Sequence, residues 1–350
     1  MLFAAKQKGF FVELNADARL LARTSASSGP MVVEQLSECP LDDDEAWAEI
    51  VEATLPKKAA HGFLRSVCGV YPEKRLVRRA TIDPKKLKEE NYLTEFASSQ
   101  FRIEPDQYLL ALLKAQDGSE YDTAHNPSEK EVIVCGMPNE TVITMQDRLL
   151  EVSVYPDRME LGTLAGIGAL ADYLKFVGNT SPVVVLELEA DTTHSYIVSG
   201  NGLEMARVLP QGLNAMIPVV QKELGLKDEE SARKLFYSNT FDFTGMGPTL
   251  VRRLIKELQS SIGFFEVQTG QSIGGLFCLL LPQKLSWLEA AIANQLGVEV
   301  LKPKLAPWLE SKNVTLADGV AGADIDRKWF GIFSLMVRHD VLEKEIEKED

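Results

Sequence analysis

Asp191, Thr192 and Thr193 stand together directly after a long apolar run, PVVVLELE (182–189). In a tight turn such residues can offer hydroxyls and backbone N–H groups to phosphate oxygens at the same time. They also suit an ordinary hairpin, because Asp and Thr favour turns with or without a ligand. Gly274-Gly275 has two similar readings, a phosphate cradle or a place where backbone packs closely. Glu257 lies on an apolar-striped segment, where a carboxylate either meets a ligand or faces water. Lys74, Arg75, Arg78 and Arg79 form a local basic cluster. It reads as a solvated strand edge or as a receptor for a carboxylate on a partner. The four cysteines (Cys39, Cys68, Cys135, Cys278) and four histidines (His61, His125, His194, His339) are scattered, so no metal site is expected. The cysteines read as small buried hydrophobes.

The elements around these residues come in two similar sets. GFFVEL (9–14), the turn NAD (15–17) and ARLLARTS (18–25) form a strand, a polar turn and a returning strand. PVVVLELE (182–189), ADTT (190–193), HSYIVSG (194–200) and LEMARVLP (203–210) repeat the order. PVVVLEL is continuously apolar, as expected of a strand buried on both faces. Amphipathic helices are expected over 214–225, 227–237, 247–270 and 284–297, with Gly225 and Gly297 as C-terminal stops. SIGGLFCLLLPQ (272–283) is expected to contain a buried strand. Between the two sets, residues 65–155 read as a separate small α/β module. It includes two strands around a turn in 65–83, a helix in 84–101 beginning at Pro84, and a helix over 139–151.

The bulk properties limit the choice of partner. A chain of 350 residues is long enough for two or three domains, and 45% hydrophobic with 25% charged residues is an ordinary globular composition. A net charge of −14 disfavours nucleic acid and anionic lipid. No run of about 18 apolar residues is present to span a bilayer, and the first residues lack the order of a signal peptide. A cytoplasmic location is therefore expected, with membrane attachment only through a partner. The tail DVLEKEIEKED (340–350) reads as a frayed or solvated end.

Several stretches resemble the PilM family of type IV pilus assembly proteins, which belong to the actin-like superfamily and are related to FtsA. In residues 186–236 Arg207, Pro210 and Gly212 match that family's second-half signature. Within LIKELQSSIGFFE, Glu257, Ser261, Phe264 and Phe265 are in register. VCGVYPEKRLVRRATIDPKKLKEE resembles the start of the family's inserted module, and the resemblance covers most of residues 9–338. It implies an α/β fold of duplicated, ribonuclease-H-like halves. The implied domains are 1–64 with 156–178 and 326–350, the module 65–155, and a second half 179–325.

The resemblance also implies a nucleotide site at Glu13, Asn15, Asp17, Glu187, Asp191, Thr192, Thr193, Gly212, Glu257 and Ser261, with ATP and Mg²⁺ as the family's ligands. The sequence departs from the family at these places. Both phosphate loops read Glu where the family has Asp, and both have lost the Gly that lets backbone N–H groups reach phosphate. Glu189 would face a triphosphate with a like charge, a repulsion of about 4 kcal/mol at 4 Å. The adenosine loop aligns with Leu281-Pro282, and Pro has no N–H. The expectation is therefore a scaffold with weak or lost nucleotide binding, no catalytic residues and no required cofactor. By resemblance its partner is the cytoplasmic N-terminal segment of a PilN-like membrane protein, held at the module with Lys74, Arg75, Arg78 and Arg79, alongside pilus motor or platform proteins. The alternative is a working actin-like ATPase, or an FtsA-like filament former. The tail 340–350 is too charged to act as FtsA's membrane-binding helix.

Overall fold

The computed structural model describes residues 7–56, 62–116, 118–122, 129–238, 240–321, 325 and 327–337. The reading of the tail 340–350 lies outside them. The chain divides into two compact units, Met1–Tyr173 with Lys304–Asp350, and Leu174–Pro303.

The first unit opens with β1 (Gly9–Leu14), β2 (Ala18–Thr24) and β3 (Met31–Pro40), and then passes through α1 (Asp44–Thr54) to β4 (Leu64–Val70). An excursion follows, comprising β5 (Leu76–Thr81), α2 (Tyr92–Phe101), β6 (Tyr108–Lys114), β7 (Glu131–Pro138) and α3 (Asn139–Glu151). β8 (Val154–Leu161) and α4 (Gly162–Phe176) lead out of it. The second unit contains β9 (Val183–Leu188), β10 (Thr193–Ser199), β11 (Gly202–Leu209), α5 (Ile217–Leu224) and α6 (Glu229–Ser238). These are followed by α7 (Gly247–Leu250), α8 (Arg252–Thr269), β12 (Gly275–Leu280), α9 (Trp287–Leu296) and β13 (Glu299–Val300). The chain then returns to the first unit with α10 (Leu305–Ser311), β14 (Val314–Leu316) and α11 (Asp318–Ala321); residues 330–337 are helical.

The two large sheets have the same wiring. The first runs β14-β3-β2-β1-β4-β8 and the second β11-β10-β9-β12-β13. Leaving β14 aside, each places its first strand in the middle, pairs it antiparallel with the second, and lays the fourth and fifth parallel on its other side. This is the duplicated ribonuclease-H-like order, so residues 9–40 and 183–209 hold equivalent places. The central strand of the second sheet is covered on both faces: every residue of β9 is buried, Glu187 included. The second unit packs its helices on that sheet through Leu213, Ile217, Phe236, Leu254 and Leu258. Gly225 and Gly297 end α5 and α9 in the left-handed conformation, at φ 62° and 70°. All four cysteines are buried and unbridged.

The structure corrects three of the expected boundaries. β4 lies between β1 and β8 in the large sheet, so the excursion begins after Val70 rather than at residue 65. Its own sheet is the antiparallel β5-β7-β6. Residues 84–91 are not α-helical beyond one 3₁₀ turn at Lys86–Lys88, since KKLKEE gives a helix only one apolar side chain to bury. Residues 304–325, expected in the second half, belong to the first unit. There β14 adds parallel to β3, while Trp308 Nε1 and Lys312 Nζ reach the Asp172 carboxylate at 2.8 and 2.6 Å.

Candidate functional site

In the second unit the turn after β9 is closed by its own hydrogen bonds. The Glu189 N–H donates to the Thr192 carbonyl at 3.0 Å. The Glu189 and Ala190 carbonyls accept from the N–H groups of Leu213 and Asn214, both at 2.8 Å. Gly212 lies so close to this turn that a Cβ there would sit 2.5 Å from the Glu189 and Ala190 oxygens and the Asp191 carbonyl carbon. The side chains are similarly occupied. Thr193 Oγ1 donates to the Gln211 carbonyl at 2.6 Å, and Thr192 Oγ1 donates to Glu189 at 3.3 Å. His194 Nε2 lies 3.5 Å from the same Glu189 oxygen. Glu187 is fully buried and accepts from Tyr196 Oη at 3.2 Å.

Asp191 leads outward to α6. Its carboxylate accepts from Asn214 Nδ2 at 2.8 Å. The Asn214 Oδ1 in turn accepts from Arg233, and from Tyr237 Oη at 3.3 Å. Asn214, Arg233 and Tyr237 had not stood out in the sequence. The signal available was the four-residue spacing of Arg233 and Tyr237, which puts both on one face of α6.

The equivalent turn of the first unit is an Asx turn. Asn15 Oδ1 accepts from the N–H groups of Asp17 and Ala18 at 3.0 and 2.9 Å, so Asn15 is spent on the hairpin. Glu13, the counterpart of Glu187 as the penultimate residue of its strand, is only 4% exposed. One of its oxygens accepts from Asn15 Nδ2 at 3.4 Å, while the other is buried without a hydrogen bond. A Cβ on Gly331, in the helical segment 330–337, would fall within 2.5 Å of both. Burial pushes the Glu13 carboxyl up to about 7, against the lowering effect of hydrogen bonds from Asn15 and Tyr71.

Glu257 and Ser261 are held by another residue of the sequence signature. Arg207 on β11 donates to Ser261 Oγ at 2.8 Å and to Glu257 Oε2 at 3.1 Å, tying α8 to the edge of the sheet. Gly274-Gly275 stands where β12 begins, and a Cβ on Gly274 would lie 2.6 Å from Ser181 Cβ, so close packing accounts for it. Leu281-Pro282 follows the C-terminal end of β12, the end at which α/β sheets bind ligands. Among the described residues no group of His, Cys, Asp and Glu could hold a metal ion.

The basic cluster does not act as one patch. Arg75 is 4% exposed and donates to the Pro72 carbonyl at 2.8 Å, so it fixes the turn into β5. Arg78 and Arg79 are neighbours on a strand and point to opposite faces of the small sheet. Arg79 pairs with Glu131 of β7 at 3.1 Å, Arg78 is half-buried, and Lys74 is exposed.

Two equivalently wired sheets, with a buried carboxylate at the same place in each, define an actin-like α/β fold. Among solved structures, this chain superposes with a TM-score of 0.66 on a chain of a PilM-PilN type IV pilus biogenesis complex. The pair are 18% identical, and the match covers 95% of this chain and 98% of that one. The cytoplasmic domain of EpsL, an inner-membrane component of the Vibrio cholerae type II secretion system, matches at 10% identity and a TM-score of 0.42, covering 96% and 95%. An apo pSK41 ParM protein matches at 8% identity and 0.41, covering 97% and 99%. No family model and no curated protein matches the chain.

Proposed function

We propose that this protein is an actin-fold scaffold of a type IV pilus or related inner-membrane platform. In this reading it stays in the cytoplasm, holds the N-terminal cytoplasmic segment of a PilN-like membrane protein, and does not turn over ATP. The observation that carries the proposal is the end-to-end likeness to a chain of the PilM-PilN complex. Among the described residues no helix is long and apolar enough to cross a membrane, so a membrane partner would supply the anchor.

The turn geometry supports the loss of nucleotide chemistry, because these residues do not fit a triphosphate with Mg²⁺. The Glu189 N–H is already bonded within its turn, and the Glu189 and Asp191 carboxylates would meet the phosphates with like charge. The expected result is that Mg-ATP gives no thermal shift and phosphate release stays at background. Release above background that disappears in Glu187→Ala would favour a working ATPase instead.

The module's edge strands suit an extended peptide, which can add backbone hydrogen bonds to an open edge. A titration with the PilN-like N-terminal peptide should give binding that weakens with salt. Binding should fall several-fold in Lys74→Glu/Arg78→Glu, since surface charge acts mainly on the association rate. Equal binding by wild type and variant at low and high salt would reject that surface. A truncation test has to spare β4, which is central to the large sheet.

A further inference from the structure

A groove of about 420 Å³ opens in the second unit between α5 and the start of α8. Its rim carries Lys222, Arg252 and Arg253 against the single acid Glu223. In a chain of net charge −14 such a cluster has many acidic groups to pair with. Yet none of these three cations makes a side-chain hydrogen bond or ion pair among the described residues. Arg252 and Arg253 also open α8, whose first turn contains no acidic residue. A helix N-terminus carries partial positive charge and favours anions, so two arginines there work against the helix and add to its field. The floor is apolar, with Met216, Val219 and Leu250. Gln211 also lines the groove, through a side chain whose Oε1 is itself buried.

We propose that this groove docks a short acidic peptide segment of a partner protein, at a surface separate from the module. One apolar side chain would rest on Met216, Val219 and Leu250. Flanking Asp or Glu side chains would meet Lys222, Arg252 and Arg253. A small phosphate compound would answer the cations but offers nothing to an apolar floor. A peptide supplies both an apolar side chain and acids from one backbone, and a polar, charged rim around an apolar centre is the usual anatomy of such a contact.

The test is a random dodecapeptide display panned on the full chain and counter-selected on Arg252→Glu/Arg253→Glu, two exposed positions. Enriched peptides should pair an aliphatic or aromatic residue with flanking acids. They should bind wild type about tenfold or more tighter than the double variant, and lose affinity as salt rises. The same variant should bind the PilN-like peptide as wild type does, which separates this surface from the module. Peptides without acidic enrichment, or equal binding by both proteins, overturn the proposal. An Arg252/Arg253-dependent thermal shift with inorganic pyrophosphate and no peptide enrichment also overturns it, in favour of a small-anion site. Self-association lost in the double variant would assign the groove to a second copy and overturn it equally.

Discussion

Gly212→Ala is expected to destabilise the second unit by about 2–4 kcal/mol, the upper range of overpacking effects combined with broken hydrogen bonds. The backbone of Gly212 is extended, with φ −110° and ψ −167°, so alanine is not excluded by torsion. The obstacle is space. The new methyl would lie 2.5 Å from three backbone atoms of residues 189–191, and backbone cannot swing aside as a side chain can. Moving residues 211–214 away instead would break the bonds from Leu213 and Asn214 to the Glu189 and Ala190 carbonyls. It would also unseat Leu213, which is 2% exposed.

Gly225→Ala is the useful contrast. Its φ of 62° imposes strain, but a Cβ there meets nothing within 4 Å, so a loss of about 1–2 kcal/mol is expected. Urea unfolding of the three proteins measures both. A loss below about 1 kcal/mol for Gly212→Ala would mean that the turn yields easily. A double-mutant cycle adds a second check, because Arg233 reaches Asp191 only through Asn214. Arg233→Ala should therefore cost less in the Gly212→Ala background than in wild type.

This dependence on close approach explains why some of the site could be read from the sequence and some could not. The repeated order of apolar strand, polar turn and returning strand is a local pattern, and it identified both turns and the duplicated sheets. Glu13 and Glu187 were found through the family resemblance, and their burial follows from their positions in central strands. What joins Gly212 to residues 189–191, or Arg207 to Glu257 and Ser261, is contact between residues far apart in the chain. The Arg207–Glu257 pair spans 50 residues, and no periodicity reports on it. The basic cluster misled for the opposite reason. Residues adjacent in sequence looked like one patch, but strand alternation and the buried turn at Arg75 separate them. The return of 304–325 to the first unit rests on one short strand and on the Asp172 contacts with Trp308 and Lys312, too little to read from composition.

The other large effect belongs to Glu13, and its sign is set by burial. The carboxyl titrates near 7 in the folded chain against an ordinary value of 4.5, so between these values the folded state holds a proton that the unfolded state has released. Stability therefore falls as pH rises from about 4.5 to 7 and is level above that. The full difference corresponds to about 3 kcal/mol. Glu13→Gln keeps the shape of the protonated side chain and cannot ionise, so it should be close to wild type at pH 5 and more stable by up to that amount at pH 8. Every other titrating group is common to both proteins and cancels in the comparison, which isolates this carboxyl from the general acidity of the chain. Urea midpoints at the two pH values, with m-values confirmed equal, give the result directly. A stability difference that does not change with pH would show that Glu13 is ionised at its ordinary value, with water or a cation reaching the oxygen that lacks a hydrogen bond.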